Sequence, residues 1–375
     1  MSREVFALAD DLTGALEVGA HFAARGWHSI VSTRTAAEQA GEGPGVFVLD
    51  TETRHTSPSK AAGVIHRATR TVPRDSKFFK KTDSTLRGNI GSELEALSSA
   101  LGGVTIVYVP AYPELGRTVR DGVLYVDGKP LHQTEFARDP LNPATESSIP
   151  AVLSAQTGLP VHAVSPRELK LPDAPCILVC DGVREEDIAL AARFVTRNEN
   201  LVGAGPSALA RELARDLEQP GPAPPLPLVQ TCVVVNGSLH PRSLAQCRAA
   251  RESLREGWAL LELQTDATGG ESSHPERAGN AVWEEIRRRD PDAILVSGGD
   301  TAHGILRTLG EPPLFSIGEA APGVPVSRIR AADLPSSWGR TRDLYVVSKA
   351  GGFGDDRIVL DLQARLQNRN RGNTP

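Results

Sequence analysis

Short, nearly continuous apolar runs recur along the chain, separated by turn residues and by stretches of helical periodicity. The first is Val5 to Ala9. From Asp10 to Arg25 the pattern changes period, with Leu12, Leu16, Gly19 and Ala23 on one helical face. Ser29 to Thr33, Val46 to Leu49, Thr105 to Val109 and Cys176 to Cys180 continue the series of runs. Apolar strands of this length alternating with helices predict a mainly parallel sheet covered on both faces.

The alternation breaks twice. Between Pro110 and Pro150 the prolines at 110, 113, 130, 140, 143 and 150 interrupt it, and Asp127-Gly128 marks a hairpin between Val123–Val126 and Pro130-Leu131. A loop-rich insertion of that length is expected to carry function or a contact between two copies of the chain. The second break, Glu218 to Pro227, holds five prolines and reads as a stiff linker. A new series follows: Thr231–Val235, an arginine-rich helix near Leu244 to Glu256, Ala293–Val296 and Leu344–Val347. The expected fold is therefore α/β in two domains, each a mainly parallel sheet flanked by helices, with a loop-rich insertion in the first. The boundaries fall at 1–217, a linker at 218–228, 229–368 and a polar tail at 369–375.

Composition narrows the function classes. Across 375 residues the chain is 40% apolar and 23% charged, with a net charge of -5. No lysine/arginine block stands out, which excludes nucleic acid as the main partner. The apolar start is too short for a signal peptide and is closed by Asp10-Asp11. No run approaches the ~18–20 residues of a membrane span. The four cysteines, Cys176 and Cys180 in one strand among them, read as reduced core residues of a cytoplasmic protein.

The chemistry sits at strand ends. Asp10-Asp11-Leu12-Thr13-Gly14 follows the first run, where a parallel sheet opens its ligand crevice, and two adjacent carboxylates exceed what a helix cap needs. Asp50-Thr51-Glu52-Thr53-Arg54-His55 follows another run, and Arg54 there could grip a carboxylate in bidentate fashion. Lys80 to Gly91, reading K-K-T-D-S-T-L-R-G-N-I-G, is the densest polar cluster, placing cations, an acid and hydroxyls beside a helix start. That mixture suits an anionic ligand rich in hydroxyls. In the second half, Asn236-Gly237-Ser238, Ser297 to Gly304 with its Gly298-Gly299-Asp300-Thr301 core, and Lys349 to Asp356 each follow a strand. Glycine turns at helix N-termini offer backbone N–H groups and the helix dipole to phosphate oxygens. None is a Walker A loop, and each is weak alone; three in one sheet point to a nucleotide.

These blocks, in this order, resemble the four-carbon acid sugar kinase family, which includes D-threonate, D-erythronate and 3-oxo-tetronate kinases. The resemblance spans essentially the whole chain. It rests on A-D-D-L-T-G-A from Ala9, D-T-x-T-R from Asp50, the Lys80–Gly91 block, P-A-Y-P-E-L-G-R-T from Pro110, N-G-S from Asn236, G-G-D-T from Gly298 and K-A-G-G-F-G from Lys349. Many members carry Asn-Asp after the first block, where this chain has Leu16-Glu17. The resemblance implies a sugar-acid-binding first domain and a nucleotide-binding second one, with ATP and Mg²⁺, transferring the γ-phosphate to the C4 hydroxyl of a small sugar acid. The run from Leu131 to Pro143 is more similar to the D-threonate/D-erythronate branch than to the 3-oxo-tetronate branch.

By that pattern the substrate residues are Asp10, Asp11, Arg54, Lys81, Thr82, Asp83 and Ser84, and the ATP residues Ser238, Gly298, Gly299, Asp300, Thr301, Gly351 and Gly352. Lys81 and Arg54 would anchor the substrate, and Asp83, Asp10 or Asp11 would accept its hydroxyl proton. The metal ligands stay open. Closure about the proline linker would expel water, and the insertion leaves room for a homodimer. Two rivals are weaker. A non-catalytic sugar-acid sensor would be expected to carry an effector module, and a Rossmann dehydrogenase would need G-x-G-x-x-G where Asp10 to Gly14 stands.

Overall fold

Strands β1 (Val5–Ala9), β2 (Ser29–Ser32), β3 (Val46–Asp50), β4 (Lys77–Lys81) and β5 (Thr105–Tyr108) build the start of the first half in a computed structural model of the chain. It describes residues 5–34, 45–73, 76–139, 142–217, 221–263 and 274–368. The expected tail at 369–375 and the head of the linker at 218–220 lie outside the described residues. Helices α1 (Leu12–Ala23), α2 (Pro58–Arg70) and α3 (Ile90–Ala100) separate the strands. The insertion folds as a three-stranded antiparallel sheet, β6 (Arg117–Arg120), β7 (Val123–Val126) and β8 (Lys129–Pro130). Asp127 and Gly128 both take positive φ in its hairpin, as the Asp-Gly pair predicts.

The half closes with α4 (Ile149–Ser154), β9 (Val161–Val164), β10 (Ile177–Cys180), α5 (Glu185–Thr196), β11 (Leu201–Gly205) and α6 (Ser207–Asp216). Beyond residues 221–231, which carry no regular secondary structure, come β12 (Cys232–Asn236), α7 (Pro241–Ser253), β13 (Trp258–Glu262), α8 (His274–Arg289), β14 (Ala293–Ser297) and α9 (Gly299–Thr308). The hairpin β15 (Leu314–Ala321) and β16 (Val324–Ile329), then β17 (Leu344–Lys349) and α10 (Ile358–Gln367), complete the chain.

Both halves are α/β with mainly parallel strands, in the order β2-β3-β1-β4-β11-β5-β10-β9 and β13-β12-β14-β17-β16-β15. The two sheets are not separate. β15 pairs antiparallel with β2 through Leu314–Val31 and Phe315–Ile30, so fourteen strands form one continuous sheet. Helix α1 packs under this seam, against β15 and β16 of one half and β2 and β3 of the other. That position explains why every residue of α1 except Glu17 is buried, although its periodicity predicts a single apolar face.

Each half has one place where the strand order reverses around its first strand. In the first it lies between β1 and β4, in the second between β12 and β14. Ligands of open α/β sheets bind outside the carboxyl ends of strands at such points. The Asp10-Asp11 and Lys81–Ser84 blocks leave the first, and the Asn236–Ser238 and Gly298–Thr301 blocks leave the second.

Candidate active site

A cleft of about 470 Å³ lies between the two reversal points, lined by both halves. From the first come Asp10, Asp11, Arg54, Lys81, Asp83 and Ser84; from the second, Gly299, Asp300 and Gly351. Thr82 and Thr301 are buried beneath it instead, 1% and 2% exposed. Ser238, Gly298 and Gly352 are not among its lining residues but adjoin them. Gly237 touches the Thr301 hydroxyl, and Gly351 touches that of Ser238. A Cβ at either glycine would collide with that oxygen, so the three loops meet only because both residues lack one. His240 caps α7, its Nδ1 accepting from the Arg242 N–H at 3.2 Å.

Arg54 is not a free clamp. Its Nε and Nη2 donate to the two oxygens of Asp10 at 2.8 and 3.0 Å, and its Nη1 donates to Asp11 Oδ2 at 2.7 Å. Asp11 also caps α1, accepting from the Gly14 N–H at 3.0 Å. Burial pushes the Asp10 carboxyl up, but Arg54, Lys80 and Lys81 outweigh it and hold the group below its ordinary range. Asp83 is similarly occupied. Thr85 donates to it from backbone (2.9 Å) and hydroxyl (2.5 Å), and Arg87 from Nε (3.0 Å) and Nη2 (2.6 Å). Against the push of burial, Arg87 and Arg54 hold it well below the carboxylate range. The carboxylates expected to stand ready for a proton are thus partners of arginines.

The paired lysines divide. Neighbouring residues of a strand point to opposite faces. Lys80 turns away from the cleft, fully buried, with its Nζ 2.7 Å from Glu93 Oε2 of α3. Lys81 faces the cleft, its Nζ against Gly14 in the first turn of α1 and donating to the Thr82 carbonyl at 3.0 Å. Two residues of the lining loops, Glu52 (φ 47°) and Leu86 (φ 62°, between Asp83 and Arg87), hold the left-handed conformation unusual for their types, as strained backbone at functional sites does.

Several lining residues are not among those to which the motifs give a role. Asp50, at the end of β3, is 3% exposed; burial pushes its carboxyl up to about 7. Glu17 is also raised by burial, against the pull of Lys81. Glu52 crosses to the second half, 3.0 Å from His303 Nε2 and 3.4 Å from Arg307 Nη2. Tyr112, Arg117 and Phe136 arrive from the insertion, which thereby walls the cleft. Asp50 belongs to the D-T-x-T-R block and was within reach of sequence reading as a strand-end carboxylate. Tyr112 and Arg117 lie within the P-A-Y-P-E-L-G-R-T block and Phe136 within the Leu131–Pro143 run, but nothing local assigns any of them to the cleft.

The helices α1 and α9 begin on opposite walls, and a Cβ on Gly299 would lie 3.1 Å from Thr13 Oγ1. Both N-termini therefore favour negative charge in the same space. Two α/β halves with a cation-bearing wall facing a glycine-loop wall define a protein that joins an anionic small molecule to a phosphate donor. Family comparison agrees: a sugar-binding N-terminal domain matches residues 5–213 and a nucleotide-binding C-terminal domain matches residues 271–359. The chain belongs to the four-carbon acid sugar kinase family, and is thus a phosphotransferase with an alcohol acceptor and ATP as donor.

The D-threonate kinase of Bordetella bronchiseptica is 28% identical over 96% of this chain and 97% of its own length. Other relatives matched over most of the chain are named 3-oxo-tetronate kinases. A Haemophilus influenzae protein of a family catalogued as a domain of unknown function shares the fold, with a TM-score of 0.71 at 19% identity over 96% of this chain and 100% of that one. A Bordetella bronchiseptica protein crystallised with citrate as a domain-swapped dimer is 26% identical, with a TM-score of 0.52 over 98% of this chain and 99% of that one. No helix among the described residues is long and apolar enough to cross a membrane.

Proposed function

We propose that this enzyme phosphorylates the C4 hydroxyl of D-threonate or D-erythronate. The observation that carries this reading is the convergence of α1 and α9 on one cleft, with Lys81 and Ser84 on the first wall and Gly299, Asp300 and Gly351 on the second. Lys81 and the N-terminus of α1 supply positive charge for the acid's carboxylate, while Thr82, Asp83, Ser84 and the Asp10–Arg54–Asp11 array shape the hydroxyl subsites. Arg54 acts mainly by holding Asp10 and Asp11 in place, since three of its nitrogens already donate to them.

ATP binds the loops bearing Ser238, Gly298 to Thr301, Gly351 and Gly352, its phosphates toward the start of α9. Phosphoryl transfer passes through a loose transition state, so positioning and charge neutralisation dominate. Among the described residues no cluster of three or more His, Cys, Asp or Glu is arranged for a metal. Mg²⁺ suits such a site because it binds through phosphates, waters and one or two carboxylates, and Asp300, exposed in the Gly298–Thr301 loop and lining the cleft, is a carboxylate in position to take part. The ion would neutralise charge on the phosphates. The domain division proposed is 1–217 and 229–368 about the 218–228 linker. The swapped dimer of the Bordetella relative supports a homodimer for this chain, which sedimentation velocity would reveal.

An ADP-release assay across D-threonate, D-erythronate, L-threonate and their 3-oxo relatives tests the substrate. Turnover with either of the first two, giving the 4-phosphate by ³¹P NMR, is the expected result. Preference for a 3-oxo acid would move the enzyme to that branch, and binding of ATP with no turnover of any acid would overturn the reading in favour of a sensor.

A further inference from the structure

Six carboxylates from the first half line the cleft: Asp10, Asp11, Glu17, Asp50, Glu52 and Asp83. A proton acceptor must be unoccupied, reachable from the cleft and placed between the acid and the phosphate donor. Asp10 and Asp11 are bound by Arg54, Asp83 by Arg87 and Thr85, and Glu52 is paired with His303 and Arg307. Glu17 lies beside Tyr112 and Glu319, more than a turn into α1 from its N-terminus.

Asp50 differs from the other five. Its Oδ1 accepts one hydrogen bond, from the Glu52 N–H at 3.1 Å. Its Oδ2 is buried and has no partner, yet the residue lines the cleft. A lone buried carboxylate oxygen is costly unless something arrives to meet it. The strand order places β3 between β1, which carries Asp10 and Asp11, and the seam to the nucleotide half. Resting on the sugar-acid kinase reading above, we propose that Asp50 is the catalytic base that takes the proton of the acceptor hydroxyl.

In this step the hydroxyl O–H bond breaks and its proton passes to Asp50 Oδ2. The freed oxygen forms a bond to the γ-phosphorus of ATP, the bond from that phosphorus to the bridging oxygen breaks, and ADP leaves with its electron pair. Asp50 then returns the proton to solvent. The charged groups around it are Asp11 from the start of α1, His303 from α9, Glu52 from its own loop, and Asp10 from the end of β1. Glu52 and Asp11 raise its proton affinity and His303 lowers it, while burial is the largest influence. A base poised near neutrality is ionised in a substantial fraction of molecules at working pH and still basic enough to draw the proton.

The variant Asp50→Asn keeps the shape and tests the assignment. We expect kcat to fall at least about hundredfold, with KM for ATP within about threefold of wild type and the acidic limb of the kcat–pH profile abolished. A variant retaining more than about a tenth of kcat, or keeping that limb, would overturn the proposal. Independently of any acid, ¹³C-carboxyl NMR of the ADP-bound enzyme should show one aspartate titrating near neutrality that disappears in the variant. Absence of such a signal also overturns it. Because this arm uses no sugar acid, an error in the substrate assignment leaves it standing.

Discussion

Thr13 and Gly299 meet where the two walls of the cleft come together: a Cβ on Gly299 would lie only 3.1 Å from the Thr13 hydroxyl oxygen, which leaves no room for a branched side chain. Each stands at the start of a helix, and the two helices come from different halves of the chain. Gly299→Val would wedge these starts apart and shift the donor away from the acceptor. A displacement of about 1 Å costs on the order of 10²-fold in rate. Steady-state kinetics should therefore show that loss in kcat, with the ATP dissociation constant changed less than tenfold. An unchanged kcat would mean that transfer does not depend on the spacing of these two helix starts.

The two adjacent lysines should fail in different assays. Lys80→Met strands Glu93 as an uncompensated buried charge, which costs about 3–5 kcal/mol of stability. Thermal melting should register it strongly, while the folded fraction keeps its KM for the acid. Lys81→Met should do the reverse, melting closer to wild type but raising that KM ten- to hundredfold through loss of a charge-assisted hydrogen bond. Equal effects of both substitutions on KM would remove the distinction.

Asp50 also makes stability depend on pH in a defined direction. In the folded chain it keeps its proton up to about 7, whereas unfolded it ionises near the ordinary value of ~3.9. Its contribution is fully present below the unfolded value and is lost as pH rises through about 7. Asparagine has no proton to lose. The stability of Asp50→Asn relative to wild type should thus climb between about pH 4 and pH 7 and level off above, reaching a gain on the order of a few kcal/mol, read from thermal melting. A difference that stays flat over this range would mean that the carboxyl is solvated and ionises normally.

Local signals in the chain carry far, and their reach explains what could be read. Val5–Ala9 and Val46–Leu49 announce strands because apolar side chains on both faces demand a covered sheet. The Asp-Gly hairpin is legible because only a few residue types accept its positive φ. Lys80 and Lys81 could have been separated as well, since strand parity alone puts them on opposite faces. The grip of Arg54 on Asp10 joins residues 44 positions apart, and nothing local distinguishes a guanidinium awaiting substrate from one already paired. β15 and β16 escaped notice for a related reason. Their alternation is broken by Gly318 and Pro325, and their purpose, to extend the sheet edge at β2, is visible only in three dimensions.

That edge has a consequence for anyone who would separate the two halves. At this seam each half's sheet would end in β2 or β15, and among the described residues each of these edges is paired only with the other. Cutting the chain at the proline stretch would produce two fragments with unpaired backbone N–H and C=O groups along a bare strand, beside the apolar flank of α1. Such a strand accepts whatever extended segment it meets, including another fragment of its own kind. Truncation would therefore convert an internal joint into a polymerisation site, and the fragments are best studied co-expressed, where each can cap the other.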